Sequence, residues 1–140
     1  MLISREFGEV NMTEIILKEE SYKIIGACMR VHAKLGSGFL EAVYQEALEK
    51  EFTKSNLPFN RQQKLSLFYD GEKLKKYYVA DFLLYNSIIL EIKAIDYLSP
   101  KINDQLRNYL KATNSWLGLL VNFAKSSLEC RRLLNPNTSQ

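Results

Sequence analysis

Residues 78–95 read YVADFLLYNSIILEIKAI and place single charged residues inside two long apolar runs. Runs of Val, Leu, Ile and aromatic residues of this length are typical of strands that are buried in a sheet. A charged side chain in such a strand is costly to bury unless it is paired, hydrogen-bonded or bound to a metal ion. Asp81, Glu91 and Lys93 therefore restrict the fold to one that brings polar groups together on a largely covered sheet.

The totals favour one domain without a membrane segment. The chain has 140 residues, of which 46% are hydrophobic and 25% charged, and these values are typical of a single globular domain. No apolar run approaches the roughly 18 residues of a membrane span, and residues 1–12 lack the apolar stretch of a signal peptide. We predict one cytoplasmic domain over 1–140, poorly ordered at 1–14 and 135–140. The net charge of +3 is compatible with a nucleic-acid partner, but scattered lysines also describe an ordinary solvated surface.

The cysteine and histidine content excludes several kinds of site. Cys28 and Cys130 lie far apart without CxxC spacing, and both are predicted to be small buried hydrophobic residues. His32 is the one histidine and lies in a helical apolar pattern, which argues against zinc sites and against a Ser-His-Asp triad. Any metal would have oxygen ligands, which favours magnesium, manganese or calcium.

The apolar periodicity predicts the order ααβββαβ, followed by a short final helix. A period of 3.6 residues indicates a helix, alternation indicates a half-buried strand, and Gly, Pro and Asn-rich turns separate them. The predicted helices cover 18–35, 39–55, 100–112 and 126–134, and the predicted strands cover a segment around 65–69 and then 76–85, 88–95 and 115–123.

The register of the second hairpin decides whether the charges meet. Glu91 and Lys93 share one face of their strand, because side chains two residues apart point the same way. A two-residue turn at 86–87 would set Asp81 opposite Ile92, away from the side of Glu91. For Asp81 and Glu91 to lie on the same side, the loop must contain an odd number of residues or a strand must contain a bulge. Three-residue loops with one left-handed residue are common. We predict that Asp81 opposes Glu91 or lies one step from it.

Two interpretations of these charges stay open from the residues alone. In the first, Glu91 and Lys93 form an ion pair on a partly exposed sheet face and Asp81 lies near an edge. In the second, the two carboxylates share a divalent cation, since Mg²⁺ prefers one or two carboxylates with water and substrate phosphate. Lys93 would then help to deprotonate the attacking water or stabilise the charge that builds on phosphorus. That set of groups suits metal-assisted phosphodiester hydrolysis.

The spacing of Asp81 and Glu91-Ile92-Lys93 resembles the PD-(D/E)XK nuclease superfamily. The segment GFLEAVY has the spacing Gly38-x-x-Glu41-x-x-Tyr44 and resembles the GxxExxY family, a bacterial and archaeal branch of that superfamily. Four blocks carry the resemblance in order over about residues 15–123: HAKLGSGFLEAVYQEAL, DFLLYNSIILEIKAI, QLRNYLKAT and LGLLVNF. Ala80 departs from the pattern, because the superfamily name has Pro before the Asp.

The resemblance implies a restriction-endonuclease-like α/β fold, with a central mixed sheet of about four strands flanked by helices. It implies that Asp81 and Glu91 bind Mg²⁺, with Mn²⁺ as the other candidate ion, and that the backbone carbonyl of Ile92 joins them. Lys93 would be the catalytic lysine. Glu41 matches an acidic residue that several branches supply from an early helix, both as a metal ligand and as a catalytic residue.

The segment QLRNY resembles the Gln-x-x-x-Tyr motif of exonuclease-like branches, which implies that Gln105 and Tyr109 complete the site. Each added residue also has a structural explanation. Glu41 in the first turn of a helix is favoured by the helix dipole, Tyr44 lies on an apolar side, and Tyr109 could simply pack against its helix neighbours.

The sequence thus predicts a metal-dependent nuclease that acts on DNA, or less favourably on RNA. The alternative is an inactive nucleic-acid-binding or protein-interaction module on the same fold. A partner protein or a homo-oligomer is compatible with either function, and no membrane association is expected.

Overall fold

The computed structural model describes residues 2–5, 8–135 and 137, with side chains described from residue 17 onwards. The chain begins with a hairpin of β1 (Leu2–Arg5) and β2 (Gly8–Asn11), which forms a separate two-stranded sheet. Parts of the termini that were predicted to be poorly ordered, at 1, 6–7, 136 and 138–140, lie outside the described residues. Asn135 is fully buried, so the packed domain extends at least to that residue.

The first two helices match the apolar periodicity, and their bounds differ from it by a few residues. Helix α1 covers Met12–Leu35 and begins six residues before the predicted start at Lys18. Gly36, with φ +70°, ends this helix as predicted, because glycine adopts the left-handed conformation without steric cost. Helix α2 covers Glu41–Lys54. No helix in the described part of the chain is both long and apolar enough to cross a membrane.

The central sheet has five strands in chain order, β3-β4-β5-β6-β7, and helix α3 crosses between β5 and β6. Strands β5 and β6 are parallel, and the other neighbours are antiparallel. The bounds of these elements are β3 Phe59–Tyr69, β4 Glu72–Leu84, β5 Ile88–Lys93, α3 Pro100–Thr113, β6 Leu117–Asn122 and β7 Glu129–Leu134. This is the mixed α/β sheet, flanked by helices, of a restriction-endonuclease-like fold.

The predicted last helix over 126–134 is wrong, because Glu129–Leu134 forms strand β7. All six residues of β6 are buried. A buried strand at the edge of the sheet would leave a row of N–H and C=O groups without partners. Strand β7 supplies those partners by pairing along the whole length of β6. Cys130 on this outer strand is exposed, contrary to the prediction, whereas Cys28 is buried as expected.

The sheet separates two apolar cores. Helices α1 and α2 pack on one face, against side chains such as Phe82, Leu90 and Ile92. Helix α3 packs on the other face, against Ile89 and Leu120 among others. His32 belongs to the first core: its Nε2 lies 2.9 Å from the carbonyl oxygen of Lys125 and its ring packs on Phe123.

The loop between β4 and β5 has an odd number of residues, as is required for Asp81 and Glu91 to lie on the same side of the sheet. Leu84 pairs with Ile88, so the loop contains three residues, and two of them, Tyr85 and Asn86, have positive φ values of 53° and 55°. The β4–β5 ladder then stops after three residue pairs, at Phe82↔Leu90.

Strand β4 leaves β5 beyond Phe82 and continues with β3 alone. A break in β3 marks this point: Gln62 has a φ of 51° and interrupts the pairing between Arg61↔Phe82 and Gln63↔Ala80. The two strands then form a projecting hairpin, residues 63–80, which we call the arm. The place where β4 and β5 diverge, between Asp81 and Glu91, is called the fork.

Candidate active site

At the fork, each of the two predicted metal ligands accepts a hydrogen bond from a backbone amide of the opposite strand. Continuing the register of Phe82↔Leu90 sets Asp81 opposite Glu91, as predicted. The Ile92 amide donates to Asp81 Oδ2 over 2.8 Å, and the Asp81 amide donates to the carboxylate of Glu91. The pairing of β4 with β5 therefore ends where the acids begin, while β5 stays paired with β6 as far as Lys93.

The pKa values of Asp81 and Glu91 are both raised, which favours their neutral forms. Burial raises the pKa of Glu91 from 4.5 to about 7, while the ammonium of Lys93 and the Asp81 amide oppose the rise and Glu41 adds to it. Burial also raises the pKa of Asp81, against the effects of the Ile92 amide, Lys93 and then Arg61. Desolvation thus outweighs the nearby positive charges and the backbone donors at both acids.

A pocket of about 190 Å³ opens beside Glu91, between β5 and α3. It brings together four residues that the sequence predicted for the site, and these are Glu91, Lys93, Gln105 and Tyr109. The remaining wall is mostly aliphatic and comes from Ile102, Leu106 and Leu120. A concave site with an apolar wall and a few convergent polar groups is typical of a ligand-binding pocket. Asp81 does not line this pocket and lies at the fork next to it.

Tyr78 is a site residue that the sequence analysis missed. Its hydroxyl donates a hydrogen bond to Glu91 Oε1, and its ring stacks on Tyr109 with centroids 3.8 Å apart. The stack fixes Tyr109 at the pocket wall, while the hydroxyl satisfies one oxygen of the buried acid. No local signal marks Tyr78, because its meeting with Glu91 depends on where β4 leaves the sheet.

Glu41 lies at the start of α2, partly exposed, and raises the pKa of Glu91 by charge repulsion. Within the described residues, no three His, Cys, Asp or Glu side chains are grouped closely enough to hold a metal ion. Glu41 therefore does not complete a three-carboxylate cluster with Asp81 and Glu91 in this structure, as the resemblance had implied. Glu41 lies in the first turn of α2, where the helix dipole favours an acidic residue whether or not it has a role in the site.

Tyr44 has a structural position, as its apolar surroundings suggested. It is fully buried and stacks on Phe123 at 4.5 Å. Its hydroxyl donates to the carbonyl of Gly36 over 2.6 Å and accepts from the Phe39 amide over 3.3 Å. Tyr44 thus fixes the loop that leads into α2, and this loop sets the position of Glu41.

The chain beyond Lys93 is held by Asn122, another residue that the sequence analysis did not select. Asn122 is fully buried; its Oδ1 accepts from the Ile95 amide over 3.1 Å and its Nδ2 donates to the Ile95 carbonyl over 2.8 Å. A side-chain amide that pairs with both backbone groups of one residue takes the place of a neighbouring strand. It continues the support of β5 just past the pocket.

The donor chemistry of the fork fits a hard divalent cation. The two carboxylates offer oxygen ligands only, and Mg²⁺ binds through one or two carboxylates with water and substrate completing its shell. A bound cation would also favour the charged forms of both carboxylates, whose pKa values burial raises. His and Cys ligands, which zinc prefers, contribute nothing to the described pocket lining.

The comparison with protein families agrees with this geometry. A family model described as the PD-(D/E)XK nuclease superfamily matches residues 18–133, which include the fork, the pocket and all five strands of the central sheet apart from the last residue of β7. The chain belongs to the PD-(D/E)XK nuclease superfamily.

Among solved structures, this PD-(D/E)XK chain is similar to one titled "Crystal structure of SSO0001", with a TM-score of 0.53 and 20% sequence identity. The match covers 88% of this chain and 62% of the solved chain. This chain therefore spans less than two thirds of the length of the solved chain. At this identity the similarity shows the fold alone. No curated protein matches the sequence.

Proposed function

We propose that this chain is a metal-dependent nuclease of the GxxExxY branch, which hydrolyses phosphodiester bonds in DNA and, less favourably, in RNA. The observation that carries the proposal is the fork, where the Ile92 amide donates to Asp81 and the Asp81 amide donates to Glu91 beside a pocket that contains Lys93. A merely structural ion pair on the sheet surface would not leave two neighbouring acids desolvated with raised pKa values. The superfamily membership supports the same chemistry.

Asp81 and Glu91 would hold the ion, which we take to be Mg²⁺ with Mn²⁺ as a substitute. The Ile92 amide points toward β4, because it donates to Asp81. In a strand the carbonyl of a residue points to the same side as its amide, so the Ile92 carbonyl is also directed into the fork. When bound, the metal would supply Lewis-acid polarisation of the phosphate and a lowered pKa for water.

The chain's own residues would place the scissile phosphate and move the proton. Lys93 projects into the pocket two residues after Glu91, where its ammonium can hydrogen-bond a phosphate oxygen or the attacking water. Gln105 can donate to a second phosphate oxygen from α3. Tyr109, fixed by its stack on Tyr78, bounds the space that the substrate enters. Glu41, at the start of α2, would act on the water or the metal.

Glu91 must lose its proton to serve as a metal ligand. Burial favours the protonated form, while the Tyr78 hydroxyl, the Asp81 amide and the Lys93 charge favour the carboxylate. The fork therefore holds Glu91 near its titration point around neutral pH, and binding of a cation would complete the deprotonation.

A metal-titrated digestion tests the proposal. End-labelled single- and double-stranded DNA and RNA are incubated with Mg²⁺, Mn²⁺ or a chelator and resolved on denaturing gels. The wild type should cut with Mg²⁺ or Mn²⁺ and not with the chelator. Lys93→Ala should lose about two to four orders of magnitude in rate, as expected for a group that transfers a proton or stabilises the transition state.

The matched control is Lys23→Ala, which removes an exposed lysine from α1 and should cut like the wild type. Equal cutting by wild type and Lys93→Ala would identify a contaminating nuclease and refute the assignment. Binding of labelled nucleic acid without metal-dependent cutting in any condition would favour the inactive binding module.

A further inference from the structure

The arm carries a surface that the site does not use. Beyond the fork it extends as two strands, and every residue from 68 to 77 is exposed. One side of the arm is covered near its base, where Leu65, Tyr78 and Ala80 pack toward α3. The opposite side of the arm, which we call its outer face, stays in solvent.

The outer face is basic. The arm contains four lysines, at 64, 73, 75 and 76, against two acids, Asp70 and Glu72. The difference of four and two gives the arm +2 of the chain's net charge of +3. The pairs Lys64↔Val79, Ser66↔Tyr77 and Phe68↔Lys73 place Lys64, Tyr77 and Lys73 on this side, and Lys75 lies in the irregular segment between Lys73 and Tyr77.

Exposed aromatic rings accompany these lysines. Tyr77 and Phe68 are each 51% exposed, and Phe68 pairs with Lys73 across the arm. The ammonium of Lys64 lies 4.0 Å from the centroid of the Tyr77 ring, so cation and ring already share one surface. Lysines on an unpaired edge protect a sheet from association with another edge, but that explanation does not account for the rings.

We propose that the outer face of the arm binds a single-stranded segment of nucleic acid and directs it to the fork. Proteins that bind single strands without sequence preference combine lysines or arginines along the backbone with aromatic rings on which bases stack. The outer face leads along β4 to the fork, because Val79 precedes Asp81 by two residues. This inference rests on the proposed nuclease function and names the substrate form that its site would receive.

A duplex fits the arm less well than a single strand. Base faces in a duplex are stacked and shielded, so exposed Tyr and Phe rings would gain little from it. A second copy of this chain also fits poorly, since two outer faces would bring lysines of the same sign together. Both are therefore treated as alternative outcomes of the test.

The test measures binding by fluorescence anisotropy, with labelled oligonucleotides of about 30 nucleotides as single-stranded DNA, single-stranded RNA and duplex DNA. Ca²⁺ replaces Mg²⁺ so that binding is followed without cleavage. The variants are Lys73→Gln with Lys75→Gln, and Tyr77→Ala. The control is Lys18→Gln with Lys23→Gln, which removes the same charge from the exposed side of α1.

The arm double variant should lower the slope of log affinity against log salt by about 1.4 on single strands, because each phosphate contact contributes about 0.7. Tyr77→Ala should weaken single-strand binding at least about fivefold and affect duplex binding less, since stacking on one ring is lost. The α1 control should change neither quantity beyond the general effect of net charge.

Equal loss in the arm and α1 double variants, or no loss with Tyr77→Ala, would overturn the arm proposal. So would a change from dimer to monomer in sedimentation of the arm variants, because the arm would then be a self-association surface.

If the wild type cuts and the arm variants bind normally, the arm inference fails and the nuclease proposal stands. If the arm variants lose binding but no condition gives cutting, the nuclease proposal fails alone. If the wild type neither binds nor cuts any of the probes, both fail.

Discussion

Replacing Glu91 with Gln should stabilise the metal-free protein at neutral pH, although it removes a proposed metal ligand. The pKa of Glu91 is about 7 in the folded protein, against an ordinary value of 4.5. Between these values the folded chain holds a proton that the unfolded chain has released. The free energy of unfolding therefore decreases as the pH rises from about 4.5 to about 7, and the loss persists above pH 7.

The size of this effect follows from the two pKa values. Each pH unit between them corresponds to about 1.4 kcal/mol, so the rise from 4.5 to about 7 costs the wild type roughly 3 kcal/mol at alkaline pH. Gln has a similar shape, keeps an oxygen for the Tyr78 hydroxyl and does not ionise. The variant should lie near the wild type at about pH 4.5 and become more stable by up to roughly 3 kcal/mol at about pH 8.

Urea unfolding in the presence of a chelator, followed by circular dichroism at several pH values, measures this difference. Glu46→Gln serves as the control, because Glu46 is exposed on α2 and should show no pH-dependent gain of this kind. A difference between Glu91→Gln and wild type that stays constant from about pH 4.5 to about pH 8 would refute the reasoning. Added Mg²⁺ should then stabilise the wild type more than the variant, since only the wild type keeps both carboxylates.

Three further changes test the packing that supports the site. Tyr44→Phe should lower the free energy of unfolding by about 1–2 kcal/mol, because it removes a buried hydroxyl and leaves its backbone partners without it; urea unfolding measures this, and no change would show that water replaces the hydroxyl. Gly118→Ala should destabilise by about 1–3 kcal/mol, since its Cβ would lie 2.9 Å from Leu106 Cδ2, and an unchanged thermal midpoint would contradict this crowding. Asn122→Ala should cost about 2 kcal/mol and speed hydrogen exchange at the Ile95 amide, whereas unaltered exchange would mean that Asn122 does not hold this segment.

The local part of the site could be predicted from the sequence. The alternation in the two central strands and the Asn in their connecting loop were enough to set Asp81 opposite Glu91, because a hairpin register depends on residues that are close in the chain. The Gln105–Tyr109 pair could be placed on α3 for the same reason, since residues four apart share a helix face.

The long-range part could not be predicted in this way. The pattern of residues 126–134 is compatible with a short helix, and only the unsatisfied edge of β6 makes them a strand. Tyr78 reaches Glu91 because β4 turns away from β5 at the kink around Gln62, and a left-handed Gln inside a strand has no sequence signature. Cys130 is exposed because β7 is the outer strand of the sheet. Residue spacing in the sequence does not predict that position.

The three-residue loop after β4 has a consequence for how such a chain can diversify. A single residue inserted into or deleted from this connection would turn Asp81 to the opposite face of the sheet while leaving every amino acid of the fork in place. Homologous chains that preserve the fork should therefore tolerate substitutions in this connection far more readily than changes in its length, and a length change there would mark a lineage in which the two acids no longer meet.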